Sequence, residues 1–122
     1  MLSNKVTFKK QVRFVFFYED YFLDFYKSLN EGAQLKCEFV LHLIQTTDRV
    51  PSKFLKHITG TSGLYEIRVE YESIQMRIFA FFEEMNRVII LNGCTKKSQK
   101  IVRRELLKAK HIQRRFYEEK KP

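Results

Sequence analysis

Apolar residues change their spacing twice along this chain, and each change marks a different kind of element. From Gln11 to Tyr18 the residues Phe14, Val15, Phe16 and Phe17 follow one another, aromatic or β-branched on both faces, which predicts a strand covered on both sides or packed beneath helices. Phe22, Phe25, Tyr26 and Leu29 then keep the i, i+3, i+4, i+7 spacing of an amphipathic helix, with Asp20 near its start and Asn30-Glu31-Gly32 as its stop. A second helix is expected from about Ala33 to Thr47, where Leu35, Phe39 and Leu43 stand beside Cys37, Val40 and Ile44 as a broad apolar face. The short break at Gly32 implies an antiparallel helix pair. Asp48 to Pro51 ends it, and Thr59 to Gly63 reads as a flexible loop.

After that loop the period falls from 3.6 to 2. Tyr65 to Tyr71 alternates apolar and charged residues, as a half-buried strand does. Ile74 to Phe82 alternates again, and Arg87 to Thr95, apolar from Val88 to Leu91, reads as a more central strand. The last element, about Ser98 to Tyr117, is a helix with a thin apolar stripe of Ile101, Leu106, Ala109 and Ile112.

Placing the turn between the first two strands of this meander at Glu72-Ser73 pairs residues whose numbers sum to 145. Val69 then faces Met76, Ile67 faces Ile78 and Tyr65 faces Ala80, so one face is apolar throughout, as a core requires. The same register sets Arg68 opposite Arg77 on the other face. Facing like charges destabilise a hairpin, and a phosphate held between two guanidinium forks would offset that cost. Glu66 and Glu70 lie two residues either side of Arg68, so an ordinary solvated charge lattice is the competing reading.

Composition narrows the function classes. The 122 residues suit one domain, 1–122, and 44% hydrophobic content with 12 Phe and 6 Tyr argues against disorder. Lys and Arg number 23 against 14 Asp and Glu, a net +9, which favours a polyanionic partner, nucleic acid or anionic lipid. Nine basic residues and one acid, Glu105, stand between Lys96 and Arg115, so +8 of the excess lies in this segment. No apolar run approaches the roughly 20 residues of a membrane span. The segment MLSNKVTFKK lacks the features of a secretory signal, so no membrane association and a cytoplasmic location are expected.

Conventional catalytic signatures are sparse. Cys37 and Cys94 form no CxxC pair, and His42, His57 and His111 have no metal-ligand spacing, so no metal or cofactor is expected. His57 can be an acid or base, or simply a surface residue; Cys94 reads better as a buried strand-end residue than as a nucleophile. No Walker, Rossmann or GxSxG pattern is present. Lys96 and Lys97, between the last strand and the basic helix, are solvated lysines unless they reach the arginine face, where the helix N-terminus would also favour phosphate. Phe116 and Tyr117 follow Arg114-Arg115 and form a base-stacking platform, a docking tail or a helix end packed on the sheet.

Together, Gly63-Leu64-Tyr65-Glu66-Ile67-Arg68, then Arg77-Ile78-Phe79, then Ile89 to Lys100 with its KKSQK, and a basic closing helix resemble the HigB-type branch of the RelE/ParE toxin superfamily. The detail extends from residue 63 to about 115. The resemblance implies an α+β fold: a curved antiparallel β-sheet of about four strands with an N-terminal helix pair and a basic C-terminal helix. It also implies a type II toxin, an endoribonuclease that cuts mRNA on the ribosome and is neutralised by a helix-turn-helix antitoxin. Arg68, Arg77, Lys96 and Lys97 fall on the positions expected to act on the scissile phosphate during metal-independent attack by the ribose 2′-hydroxyl. The arginines would stabilise phosphate charge, and Lys96 or Lys97 would orient the phosphate or accept the 2′-hydroxyl proton. Glu66 would orient Arg68 or serve as base. Lys100, Arg103, Arg104, Lys108, Arg114, Arg115 and Tyr117 would hold mRNA and rRNA. The family's proline after its lysine-rich stretch is replaced by Ile101. A non-catalytic relative that inhibits a host enzyme such as a DNA topoisomerase is the alternative.

Overall fold

The computed structural model describes residues 10–122; the segment 1–9, within which the expected absence of a secretory signal falls, lies outside them. In chain order the elements are β1 (Phe14–Phe17), α1 (Tyr21–Lys27), α2 (Glu31–Thr46), β2 (Leu55–His57), β3 (Leu64–Tyr71), β4 (Ile74–Glu83), β5 (Arg87–Thr95) and α3 (Gln99–Glu119). The class is the expected α+β, but among the described residues the sheet has five strands in the order β1-β5-β4-β3-β2 and is mixed, since β1 runs parallel to β5. β2 adds the fifth strand. Its three residues are too few to show a period, and only the partner strand β3 holds Leu55 to His57 extended.

Local capping places both long helices. The Asn30 side chain accepts from the Ala33 N–H at 2.8 Å, so the residue expected to stop the first helix starts the second. Ser98 does the same for α3, accepting from the Ile101 N–H at 3.2 Å, and the family's proline is not required there.

Period-2 alternation divides the core between the two faces. Ile67, Val69, Met76, Ile78, Ala80, Val88 and Ile90 pack under α1 and α2 with Phe22, Cys37, Val40 and Ile44. On the reverse face Leu64, Phe79, Phe81, Ile89 and Leu91 meet Val102, Ala109 and Ile112 of α3. Between the pairs Ala80–Ile90 and Ile78–Gly93, β5 carries one residue more than β4, a bulge. Near it Asn92 is buried and donates to the Glu105 carbonyl at 3.0 Å, fastening α3 to the sheet.

At the other edge only one of two expected arrangements is met, packing beneath helices, and only on one face. β1 is not covered on both sides: Phe14, Phe16 and Phe17 are each about half exposed, while Val15 packs on the core beneath the helix pair. Among the described residues the strand is an edge with β5 as its one strand neighbour, and Phe17 stacks on Phe22 of α1 at 5.3 Å.

Candidate functional site

The hairpin register is the one expected. Arg68 pairs with Arg77, and the flanking pairs Ile67–Ile78 and Val69–Met76 are buried. The Arg68 N–H points away from β4, donating to the Phe54 carbonyl at 2.7 Å, so Arg68 and Arg77 form a non-hydrogen-bonded pair. Such pairs bring α-carbons to about 4.5 Å, the closer of the two antiparallel spacings. The charge conflict is met by Glu66: its Oε1 lies 2.9 Å from Arg68 Nε and 3.4 Å from Arg77 Nε. The Arg68 side chain is 33% exposed, those of Arg77 and Glu66 only 11% and 13%, so the bridge is partly shielded from water. One carboxylate therefore serves two guanidinium groups, and the remaining positive charge faces the part of the sheet that α3 leaves open.

Two strands flank this pair. In β5, Cys94 stands opposite Arg77, and the Lys96 N–H donates to the Gln75 carbonyl at 2.7 Å, carrying the ladder one residue past Thr95. Alternation puts Lys96 on the arginine face; Lys97 is exposed in the turn before α3. In β2, Lys56 pairs with Glu66, so alternation puts this lysine on the same face too. Nothing in the sequence pointed to Lys56, because the strand that aims it was not legible. His57 pairs with Tyr65 and belongs to the opposite face, away from the arginines. Burial pushes the Cys94 thiol up to about 11, with Glu105 adding to the rise and Arg77 opposing it, a state unsuited to a nucleophile.

The basic helix is less uniform than its sequence. Lys100, Arg103 and Arg104 are exposed near the N-terminal end of α3. Lys108 and Arg115 turn toward α1, their charged groups 5.6 and 6.0 Å from the Tyr21 ring centre. Arg115 also pairs with Glu19 at 3.4 Å and Glu119 at 3.5 Å, so its charge is engaged within the protein. Arg114 lies on the other flank, beside Lys110 and the Gly60–Ser62 loop, which the Gln113 side chain holds by donating to the Ser62 carbonyl at 2.8 Å. Tyr117 packs on Phe81 and Phe116 at 5.4 and 5.5 Å, the helix-end packing among its three sequence readings, and stays 44% exposed.

Two further cations, Lys36 of α2 and Lys53 of the turn before β2, line a cavity with Arg68 and Arg77. Both were missed because they stand alone in sequence; only the fold gathers them. Among the described residues no cluster of His, Cys, Asp or Glu could hold a metal ion, and no helix is long and apolar enough to cross a membrane.

Residues 24–114 match a family model described as phage derived protein Gp49-like. No curated protein sequence matches the chain. Among solved structures, an archaeal RelE–RelB complex from Pyrococcus horikoshii OT3 contains a similar chain, at TM-score 0.50 and 19% identity, covering 70% of this chain and 97% of that one. That likeness is one of fold.

Proposed function

We propose that this chain, which belongs to the Gp49-like family of phage-derived proteins, is the toxin of a toxin–antitoxin pair, a HigB-type endoribonuclease acting on mRNA at the ribosome. The observation that carries the reading is the in-register pair Arg68–Arg77 on an open sheet face, bridged by Glu66 and backed by the lysines of adjoining strands. Two fixed guanidinium groups suit a phosphate whose negative charge grows as the neighbouring 2′-hydroxyl attacks it. The nucleophile belongs to the substrate, so the protein has only to hold the phosphate, stabilise charge and move protons. Lys96 and Lys56, which share the face by register, and Lys97 beside it are the groups to orient the phosphate or exchange those protons. Glu66 orients the arginines.

Exposed cations on α3, Lys100, Arg103, Arg104 and Arg114, supply a salt-dependent hold on mRNA and rRNA backbones. Lys108, Arg115 and Tyr117 have internal contacts and contribute less to it. A helix-turn-helix antitoxin is the proposed partner; the RelE of the similar structure is itself in complex with RelB. The reading places the protein in the cytoplasm as a single domain.

The test is to express the chain and map RNA 5′ ends, with Arg77→Ala in parallel and DNA supercoiling monitored. New ends within translated mRNA that vanish in a folded Arg77→Ala are expected. Altered supercoiling with intact mRNA would replace this reading with a topoisomerase inhibitor, and a folded Arg77→Ala that still cuts would remove the assigned role.

A further inference from the structure

The arginine pair borders a cavity of about 380 Å³ at the outer edge of β3. Lys36 comes to it from α2, Lys53 and Phe54 from the turn before β2, and Arg68, Gln75 and Arg77 from the sheet. Four cations from four separate segments thus meet one space with a single carboxylate, Glu70, in its lining. Among the described residues no ion pair engages Lys36 or Lys53; each ammonium lies over an aromatic ring, Phe39 at 5.3 Å and Phe54 at 5.2 Å. Neither lysine belongs to the basic segment 96–115, so this is a second concentration of positive charge.

The backbone adds to the site. β2 pairs β3 only as far as Ile67, and the Phe54 carbonyl extends the contact to Arg68. Two residues on, the Glu70 N–H has the same outward parity, on the stretch of edge that forms the cavity wall. Phe54 is half-buried, packing against the core beneath the helix pair while also lining the cavity. The volume is near the low end of the roughly 300–1,000 Å³ of ligand pockets, suited to one nucleotide rather than a duplex segment. A ring beside cations serves an unpaired base and its phosphates, since a base inside a duplex is already stacked on its neighbours.

We infer that the cavity is a subsite for single-stranded RNA, resting on the RNA reading above for its ligand. It takes the nucleotide next to the phosphate held by Arg68 and Arg77. The base replaces the Lys53 ammonium on the Phe54 ring, and the freed ammonium holds the following phosphate together with Lys36.

Fluorescence anisotropy with a labelled 2′-O-methyl RNA hexamer, which the proposed attack cannot cleave, tests this apart from catalysis. The native protein is expected to bind the single strand at least fivefold more tightly than the same sequence as a duplex. Lys36→Gln/Lys53→Gln should bind about tenfold more weakly. Its slope of log K against log salt should be shallower by about 0.7, because the one phosphate that the two lysines hold is no longer neutralised. Phe54→Leu should lose about fivefold or more through base stacking; thermal melts confirm that each variant is folded. A double variant that binds like the native protein, equal affinity for strand and duplex, or no binding by the native protein overturns the subsite. Binding that depends on Lys36 and Lys53 in a protein that cuts no RNA keeps the subsite and removes the nuclease. Cleavage by a protein whose affinity ignores both lysines does the reverse.

Discussion

Arg77 and Ile78 are neighbours in β4, yet they stand in different environments. Ile78 is completely buried beneath the helix pair, among Ile67, Val69, Met76 and Ile90. Arg77 lies on the reverse face, beyond the apolar patch that α3 covers, beside Glu66 and an open cavity. The closed face admits no slack: a Cβ added to Gly93 would stand 2.7 Å from the Phe25 ring of α1. The open half of the other face tolerates two arginines in register, because the Glu66 carboxylate bridges them and the Arg68 side chain is one-third exposed. Coverage by helices, more than strand sequence, separates the surface that supplies stability from the surface available for chemistry.

The contrast can be broken residue by residue. Ile78→Ala is expected to cost about 2–5 kcal/mol, as buried isoleucine truncations do, read as a lower urea midpoint; folded protein should keep its RNA cleavage. Arg77→Ala, one residue away, should do the opposite. Cleavage falls about 10²–10³-fold, the usual cost of one charge-stabilising donor, while the melting temperature stays within about 2 °C. A large stability loss in Arg77→Ala would show that the open face also carries the fold.

Gly93→Ala presses a methyl group against Phe25 and is expected to destabilise by about 1–3 kcal/mol in denaturant titration, with RNA binding unchanged per folded molecule. Glu66→Gln leaves the arginines facing each other with no carboxylate between them. Its cost, about 1–2 kcal/mol, should shrink in melts at high salt, which screens the pair.

The smallest effect concerns pH. Burial pushes the Cys37 and Cys94 thiols up to about 11, against about 8.5 for an exposed thiol. Their neutral forms are favoured by folding, so this contribution is whole below about pH 8.5 and is lost as pH climbs toward 11. Tyr18, raised to about 12 by burial and its hydrogen bond to the Glu119 carboxylate, acts in the same direction at higher pH. Melting temperature should therefore fall across that range, and iodoacetamide should leave both cysteines unmodified in the native protein at pH 8.

Much of the candidate site was legible because β3 and β4 are consecutive, and their alternation permits one register that keeps Ile67, Val69, Met76 and Ile78 together. Arg68 opposite Arg77 follows from it. Lys36, Lys53 and Lys56 were not legible: each is a single lysine, on α2, in a turn and on a three-residue strand, with no period to give its direction. Charge density was a poor guide within α3, where Arg115 is as basic in sequence as Arg104 but is held by Glu19 and Glu119, far from it along the chain or one helical turn away.

By itself the sequence determined the local periods, the hairpin register and the arginine pair, because side-chain alternation and turn position are properties of adjacent residues. Tertiary structure alone decided that β1 is a parallel edge with exposed phenylalanines, that Glu66 bridges both arginines, and that Lys36 of α2 and Lys53 and Lys56 at β2 gather around them. Those outcomes depend on which helix covers which part of the sheet, and that choice is made by the burial of the whole core.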